Sequence, residues 1–234
     1  MSILRQSKVP GKRPRSLIAY FKEQSSFAEQ YRKIRTNIEF SKAGGGLKAI
    51  LVTSPGPNEG KSTTAANLAV VMARQGKKIL LIDADMHRPT QHDTFRLANK
   101  NGLTTFLTKN SRLEDIVQAS GIANLSVLTS GPIPPNPADL LSSAEMAGLV
   151  HRFRSLFDAI IMDAPPLLDV ADARVLASLC DGTLLVVRSG ATEVENASKA
   201  AGSLSDARAG LLGVVLNDLK GARRGRRGRR YRAG

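Results

Sequence analysis

Six short β-rich runs constrain what this chain can fold into more than any other feature. They are Ala49 to Thr53, Lys78 to Asp83, Leu125 to Leu128, Ala159 to Asp163, Thr183 to Val187 and Leu211 to Leu216. Most are continuous apolar stretches, which fits strands covered on both faces and not strands with one wet face, where polar residues would alternate. Ser62 to Gln75 reads as a helix ended by Gly76, so the first two runs form a βαβ unit, and helical patterns separate most of the others. The prediction is an α/β domain built on a doubly wound, mostly parallel sheet with helices on both faces. A chain of 234 residues with 42% hydrophobic content can fill one such core.

The flanks differ from this body. Of the net charge of +14, five positive charges fall in residues 1–16 and seven in residues 221–234, with no acid in either, which leaves +2 for residues 17–220. The expected organisation is a basic arm (1–16), one folded α/β body (17–220) and an Arg-rich tail (221–234). From Ser26 to about Ser41, Phe27, Tyr31, Ile34 and Ile38 recur at helical spacing before Gly44-Gly45-Gly46 breaks the pattern. Glu29, Arg32 and Arg35 lie on that helix at i, i+3 and i+6, on a face distinct from the apolar stripe. Pro134-Pro135 makes a rigid loop, with Asn136 as N-cap and Pro137 as first helical residue of the next element.

The longest apolar runs fall far short of the ~18 residues of a membrane span. The basic N-terminus lacks the apolar core of a secretory signal, so a cytoplasmic location is expected. Cys180 has no internal partner and reads as a small buried hydrophobe near a helix end. His87, His92 and His151 show no zinc-ligand spacing with it, and no transition metal is assigned.

The chemistry concentrates where the first run meets its helix. The loop Ser54-Pro55-Gly56-Pro57-Asn58-Glu59-Gly60-Lys61-Ser62 leaves a strand and enters a helix, a context in which backbone N–H groups and a helix N-terminus surround phosphate. Lys61 would neutralise the β and γ phosphates, Ser62 would offer a hydroxyl to Mg2+, and Gly60 permits close backbone approach. Pro55 stands where the strict GxxxxGK[ST] pattern has its first glycine. Two further runs end in carboxylates, Asp83-Ala84-Asp85 and Asp163, at the strand edge where open α/β sheets bind ligands. Buried carboxylates there are costly unless they meet a cation. Asp163 has the place of a Walker B aspartate. Asp83 and Asp85, two apart, can face one side, one serving metal and the other an incoming hydroxyl.

These residues resemble the bacterial tyrosine kinases of capsule and exopolysaccharide assembly, in the cytoplasmic form that works with a separate membrane activator. The resemblance rests on Thr53 to Thr63, on Asp83-Ala84-Asp85-Met86-His87-Arg88-Pro89, on Asp163-Ala164-Pro165-Pro166, on the Pro134 to Pro137 loop, on Leu216-Asn217 and on Glu29, Arg32 and Arg35. It spans about residues 20–220. It implies a P-loop NTPase fold and an ATP- and Mg2+-dependent protein-tyrosine kinase. Lys61, Asp83 and Asp85 would be catalytic, with Asp83 the base for a tyrosine hydroxyl. Pro57, Asn58, Glu59, Gly60, Lys61, Ser62, Thr63, Asn217 and Arg188 would line the ATP site, and Ser62, Asp85 and Asp163 would hold the metal. Asn217 can equally be a simple turn residue. The resemblance further implies homo-oligomerisation in a ring through Glu29, Arg32 and Arg35, tyrosine-containing protein substrates, and recruitment by the membrane-anchored activator to control polysaccharide polymerisation and export.

The resembled kinases usually end in a tyrosine cluster, whereas this chain has Tyr231 set among arginines, with Tyr20 and Tyr31 elsewhere. Tyr231 is the candidate phospho-acceptor, and a solvated tail is the alternative. The tail's arginines suit an anionic membrane surface or another polyanion. A second reading is a partitioning or positioning ATPase of the ParA/MinD kind. Those proteins carry a second lysine five residues before the invariant one, where this chain has Gly56, and that favours the kinase.

Overall fold

The structure, a computed structural model, describes residues 17–41, 47–206 and 210–218. Helices α1 (Ile18–Phe21) and α2 (Ser26–Phe40) precede β1 (Ala49–Thr53), α3 (Lys61–Ala73) and β2 (Ile79–Asp83). Then come α4 (Gln91–Phe95), α5 (Leu103–Leu107), α6 (Leu113–Ile116), β3 (Val117–Ala119), β4 (Leu125–Leu128), α7 (Pro137–Leu141) and α8 (Ala144–Leu156). The chain continues through β5 (Ala159–Asp163), α9 (Asp172–Ser178), β6 (Gly182–Arg188), α10 (Val194–Asp206) and β7 (Leu211–Asn217).

The strands form one sheet in the order β3-β4-β2-β5-β1-β6-β7. All neighbours are parallel except β3, which runs antiparallel to β4 at one edge. The expected doubly wound sheet is therefore present, with β3 as an unforeseen addition, since Val117-Gln118-Ala119 carries no apolar run. Alternation is hidden in the central strands because both faces are covered. Leu51, Leu80, Ile82, Ile160 and Met162 enter one core, while Ile50, Val52, Ile79, Leu81 and Ile161 enter the other. This order sets the tips of β2, β5 and β1 side by side. Asp83 is in register with Asp163, and Val52 with Asp163 on the other side.

Helix α3 is enclosed along almost its whole length, as its Ala/Val/Leu-rich sequence demands. The sheet covers one side and α1 and α2 the other. Asn67 pins this cover, accepting the Ala19 N–H on Oδ1 (2.9 Å) and donating from Nδ2 to the Thr63 carbonyl (2.9 Å). In α2, Ser25 is the N-cap, its hydroxyl accepting the Ala28 N–H at 3.1 Å. The inward stripe differs from the sequence reading in one place: Ala28 and Ile38 are buried with Tyr31 and Ile34 packed beside them, while Phe27 is 47% exposed. Arg35 also departs from expectation. It is half-buried, and its guanidinium donates to the Val71 carbonyl of α3 at 3.2 Å, because a long side chain beside the stripe can reach the unpaired carbonyls near a helix end. Arg32 pairs with Glu29 at 2.7 Å and donates to the Glu23 carbonyl.

Asn136 and Pro137 take the predicted N-cap and first-turn places of α7, although the Asn136 side chain makes no capping hydrogen bond. Cys180 is half-buried just beyond α9, and burial pushes its thiol up to about 12, an inert state for nucleophilic chemistry.

Asn67 yields a stability test. In Asn67→Ala the buried Ala19 N–H loses this acceptor, and urea unfolding should report a loss of about 1–3 kcal/mol; a change below a few tenths would mean that α1 is not held through this residue.

Candidate active site

The loop between β1 and α3 is shaped by two left-handed positions, Asn58 (φ 62°) and Gly60 (φ 99°). Gly60 is required twice over, since a Cβ there would also lie 2.0 Å from Asn217 Nδ2. Pro55 is not among the residues with positive φ, so the first glycine of the usual pattern is dispensable here. The Ser54 and Pro55 carbonyls accept the Leu167 and Leu168 N–H groups instead.

The far side of the loop is tied to the sheet edge. Asn217, at the end of β7, donates from Nδ2 to the Glu59 carbonyl at 2.9 Å. Glu59 is buried, and its Oε1 accepts the Thr192 hydroxyl at 2.7 Å, which in turn accepts the Arg188 N–H. The Arg188 guanidinium pairs with Asp218 at 2.9 Å. Pro57 and Asn58 form the exposed rim.

Lys61 opens α3 and is buried among carboxylates. Its Nζ donates to Asp85 Oδ2 at 2.6 Å and to Ser62 Oγ at 3.3 Å, and Asp163 Oδ1 lies 3.7 Å away. Burial alone would lower the Lys61 pKa; the charges of Asp163 and Asp85 outweigh it and hold the ammonium above its ordinary value. Asp85 also accepts the Arg88 N–H on Oδ1. Asp83 is wholly buried, and its Oδ2 accepts the Thr90 and Gln91 N–H groups, both at 2.8 Å. Desolvation, then the nearby charge of Asp163, pushes Asp83 up to about 7, against the opposing pull of those two N–H groups and Lys61. Ser62 is buried beside this cluster and Thr63 half-buried next to it.

Three contacts were not anticipated. Gln91 bridges Ser62 and Asp163 through its side-chain amide, Thr192 holds Glu59, and His87 Nε2 lies 2.8 Å from Asp172 Oδ2. Each partner is distant in sequence and belongs to no recognisable spacing, so only the folded topology brings them together.

The donor set suits a hard divalent cation. Asp83 Oδ1 and Asp163 Oδ1 are buried oxygens without a hydrogen-bond partner, and Gln91 links Asp163 to Ser62 in the first turn of α3. Among the described residues no three His, Cys, Asp or Glu side chains converge as a protein-only metal cage. Mg2+ is generally held by one or two carboxylates and completed by phosphate oxygens and water, and the unpartnered oxygens of Asp83 and Asp163 fit that need.

The family described as "AAA domain" matches residues 49–195, which takes in β1, α3 and all three aspartates. The tyrosine-protein kinase YwqD of Bacillus subtilis is 52% identical over 206 residues, covering 88% of this chain and 87% of that protein. The chain belongs to the bacterial tyrosine kinase family. Among solved structures, the chimerical protein CapA2B2 superposes with a TM-score of 0.83 at 39% identity, over 86% of this chain and 88% of that one. The septum site-determining protein MinD of Pyrococcus horikoshii shares the fold at a TM-score of 0.63 and 22% identity, over 72% of this chain and 69% of its own. The kinase family thus uses the P-loop scaffold common to both readings of the sequence, and the relatives at high identity are kinases. Glu29, Arg32 and Arg35 lie away from the acidic cluster on α2, and Tyr231 falls outside the described residues.

The raised Asp83 value has a consequence for stability. The folded chain retains this proton to about pH 7, whereas the ordinary carboxyl releases it near 3.8, so the stabilisation is full at acid pH and is lost as pH rises through about 7. Asp83→Asn keeps an acceptor oxygen and cannot ionise. Its gain in denaturation midpoint over the parent should be larger at pH 8 than at pH 5; an equal difference at both would show that Asp83 is not perturbed by burial and Asp163.

Proposed function

We propose that the chain transfers the γ-phosphoryl group of Mg-ATP to tyrosine hydroxyls of proteins, with the helix start at Lys61 and the three strand-tip aspartates as its active site. The observation that carries this reading is the burial of one ammonium against Asp85 and Asp163 at the N-terminus of α3. A lysine so placed meets triphosphate by exchanging carboxylate for phosphate oxygens. Kinship to YwqD, a tyrosine-protein kinase at 52% identity, supports the choice of acceptor.

In this reading Lys61, Ser62 and Thr63 hold the phosphates, with Pro57, Asn58, Glu59 and Gly60 forming the loop around them, and Asn217 and Arg188 border the nucleotide at the sheet edge. Ser62, Asp85 and Asp163 would hold Mg2+, which when bound would neutralise phosphate charge. Lys61 stabilises the charge on the transferring group, and Asp83 accepts the tyrosine proton as the new O–P bond forms and the bond to the ADP oxygen breaks. A carboxyl poised near 7 suits a base at neutral pH. Asp83 is fully buried, so in this reading the tyrosine hydroxyl meets it only once the residues covering it have moved aside.

The wider role in this reading is control of capsular or exopolysaccharide polymerisation and export, in the cytoplasm, with a membrane-anchored activator binding through its cytoplasmic tail. Among the described residues no helix is long and apolar enough to cross a membrane. In this reading the partner or the Arg-rich tail brings the chain to the membrane. Self-association in a ring would use Glu29 and Arg32, and Arg35 would join only by releasing the Val71 carbonyl. Tyr231 is the candidate acceptor.

Incubation with γ-labelled ATP, with and without an activator tail, followed by phosphotyrosine mapping, tests the reading. Label on Tyr231 or on a partner tyrosine is expected, and folded Lys61→Met should lose at least about 10²–10³-fold in transfer rate. ATP hydrolysis with no protein label under any condition would favour a MinD-like switch instead.

A further inference from the structure

The neutral Gln91 side chain bridges the start of α3 and the tip of β5, and nothing in the chemistry above uses it. It is wholly buried at the start of α4. Its backbone N–H donates to Asp83 Oδ2 (2.8 Å), while its Nε2 donates to Asp163 Oδ2 (2.7 Å) and to the Ser62 carbonyl (3.0 Å). Both Nε2 partners are acceptors, so the amide orientation is fixed by the contacts. Two carboxylates in register on adjacent strands, which repel each other, thus each give one oxygen to the same residue. Their remaining Oδ1 atoms, like Gln91 Oε1, are buried oxygens without a hydrogen-bond partner, and the one on Asp163 lies 3.7 Å from Lys61 Nζ.

A carboxylate can rotate about its terminal torsion over a broad range, and either oxygen can face a ligand. The Gln91 side-chain amide removes that freedom at Asp163, whereas Asp83 is held by the backbone N–H groups of Thr90 and Gln91. The bond to the Ser62 carbonyl adds the first turn of α3, so that the hydroxyl-bearing residue and both acids share one anchor.

We propose that Gln91 is a positioning residue for phosphoryl transfer, its side-chain amide presenting the free oxygen of Asp163 to the divalent-cation and phosphate site. This rests on the kinase reading above. It differs from volume-filling in what it needs: a donor at the end of the side chain, not only the right size. Groups that orient metal-binding carboxylates typically contribute 10–100-fold to metal affinity or activity.

Gln91→Met retains the length and approximate volume and removes the donor. Calorimetric titration of Mn2+ into the ADP-containing protein should show about 10-fold weaker metal binding in the variant, with a single cooperative thermal transition retained and kcat falling more than the KM for ATP rises. Metal binding equal to the parent in a folded Gln91→Met protein overturns the proposal. If the variant does not fold, the parent supplies the readout: the Gln91 side-chain amide, assigned by its proximity to Ser62 and Asp163, should exchange slowly and shift when Mg2+ is added to the ADP complex. An amide pair unmoved by Mg2+ overturns the proposal equally. A parent that takes up no metal with ADP overturns the kinase reading and this role together, whereas a parent that does and a variant that matches it removes only the role of Gln91.

Discussion

Three carboxylates, Asp83, Asp85 and Asp163, are buried at adjacent strand tips beside a single ammonium, Lys61. The rest of the structure is arranged around that imbalance. Charged groups taken from water are costly unless paired and hydrogen-bonded, and a buried pair that loses one partner typically costs about 3–5 kcal/mol. The protein supplies four backbone or amide donors from the turn after β2, at Arg88, Thr90 and Gln91, and partly protonates Asp83. Among the described residues Lys61 is the cation paired with these carboxylates. The cluster is therefore organised to receive positive charge, and a magnesium nucleotide brings it together with phosphate for Lys61.

The loop opposite the cluster is held from the sheet edge. Asn217 from β7 and Thr192 beyond β6 grip Glu59, and Gly60 passes beneath the Asn217 amide where no side chain would fit. Strand order makes this possible, since β1 lies between β5, which carries Asp163, and β6, which leads to Thr192. One loop is thereby stretched between the acidic tips and the far edge. Preorganisation of this kind matters in phosphoryl transfer, where catalysis is chiefly positioning and charge stabilisation.

The sheet was legible because its strands are buried on both faces and show it as unbroken apolar runs. The phosphate loop and acidic tips were legible because local spacing carries them: Gly60-Lys61-Ser62 before a helix, and aspartates closing Ile79–Asp83 and Ala159–Asp163. Edge strand β3 was not, because a three-residue antiparallel pair needs no apolar pattern. Gln91 and Thr192 were hidden for another reason: their partners lie 72 and 133 residues away, at contacts created by crossover connections. On α2, helical spacing located the stripe but not which of its neighbours would turn inward, so Phe27 was placed inside and Arg35 outside, and the fold exposes the first and half-buries the second.

The central claim is that the acidic cluster is built for a cation arriving with phosphate. Calorimetry of ATP binding to the parent protein with excess Mg2+ and with a chelator tests it directly. Tight binding is expected with Mg2+ and a loss of at least about tenfold without it, because bare triphosphate adds negative charge beside three carboxylates paired with one lysine. ATP that binds equally tightly in chelator would contradict it.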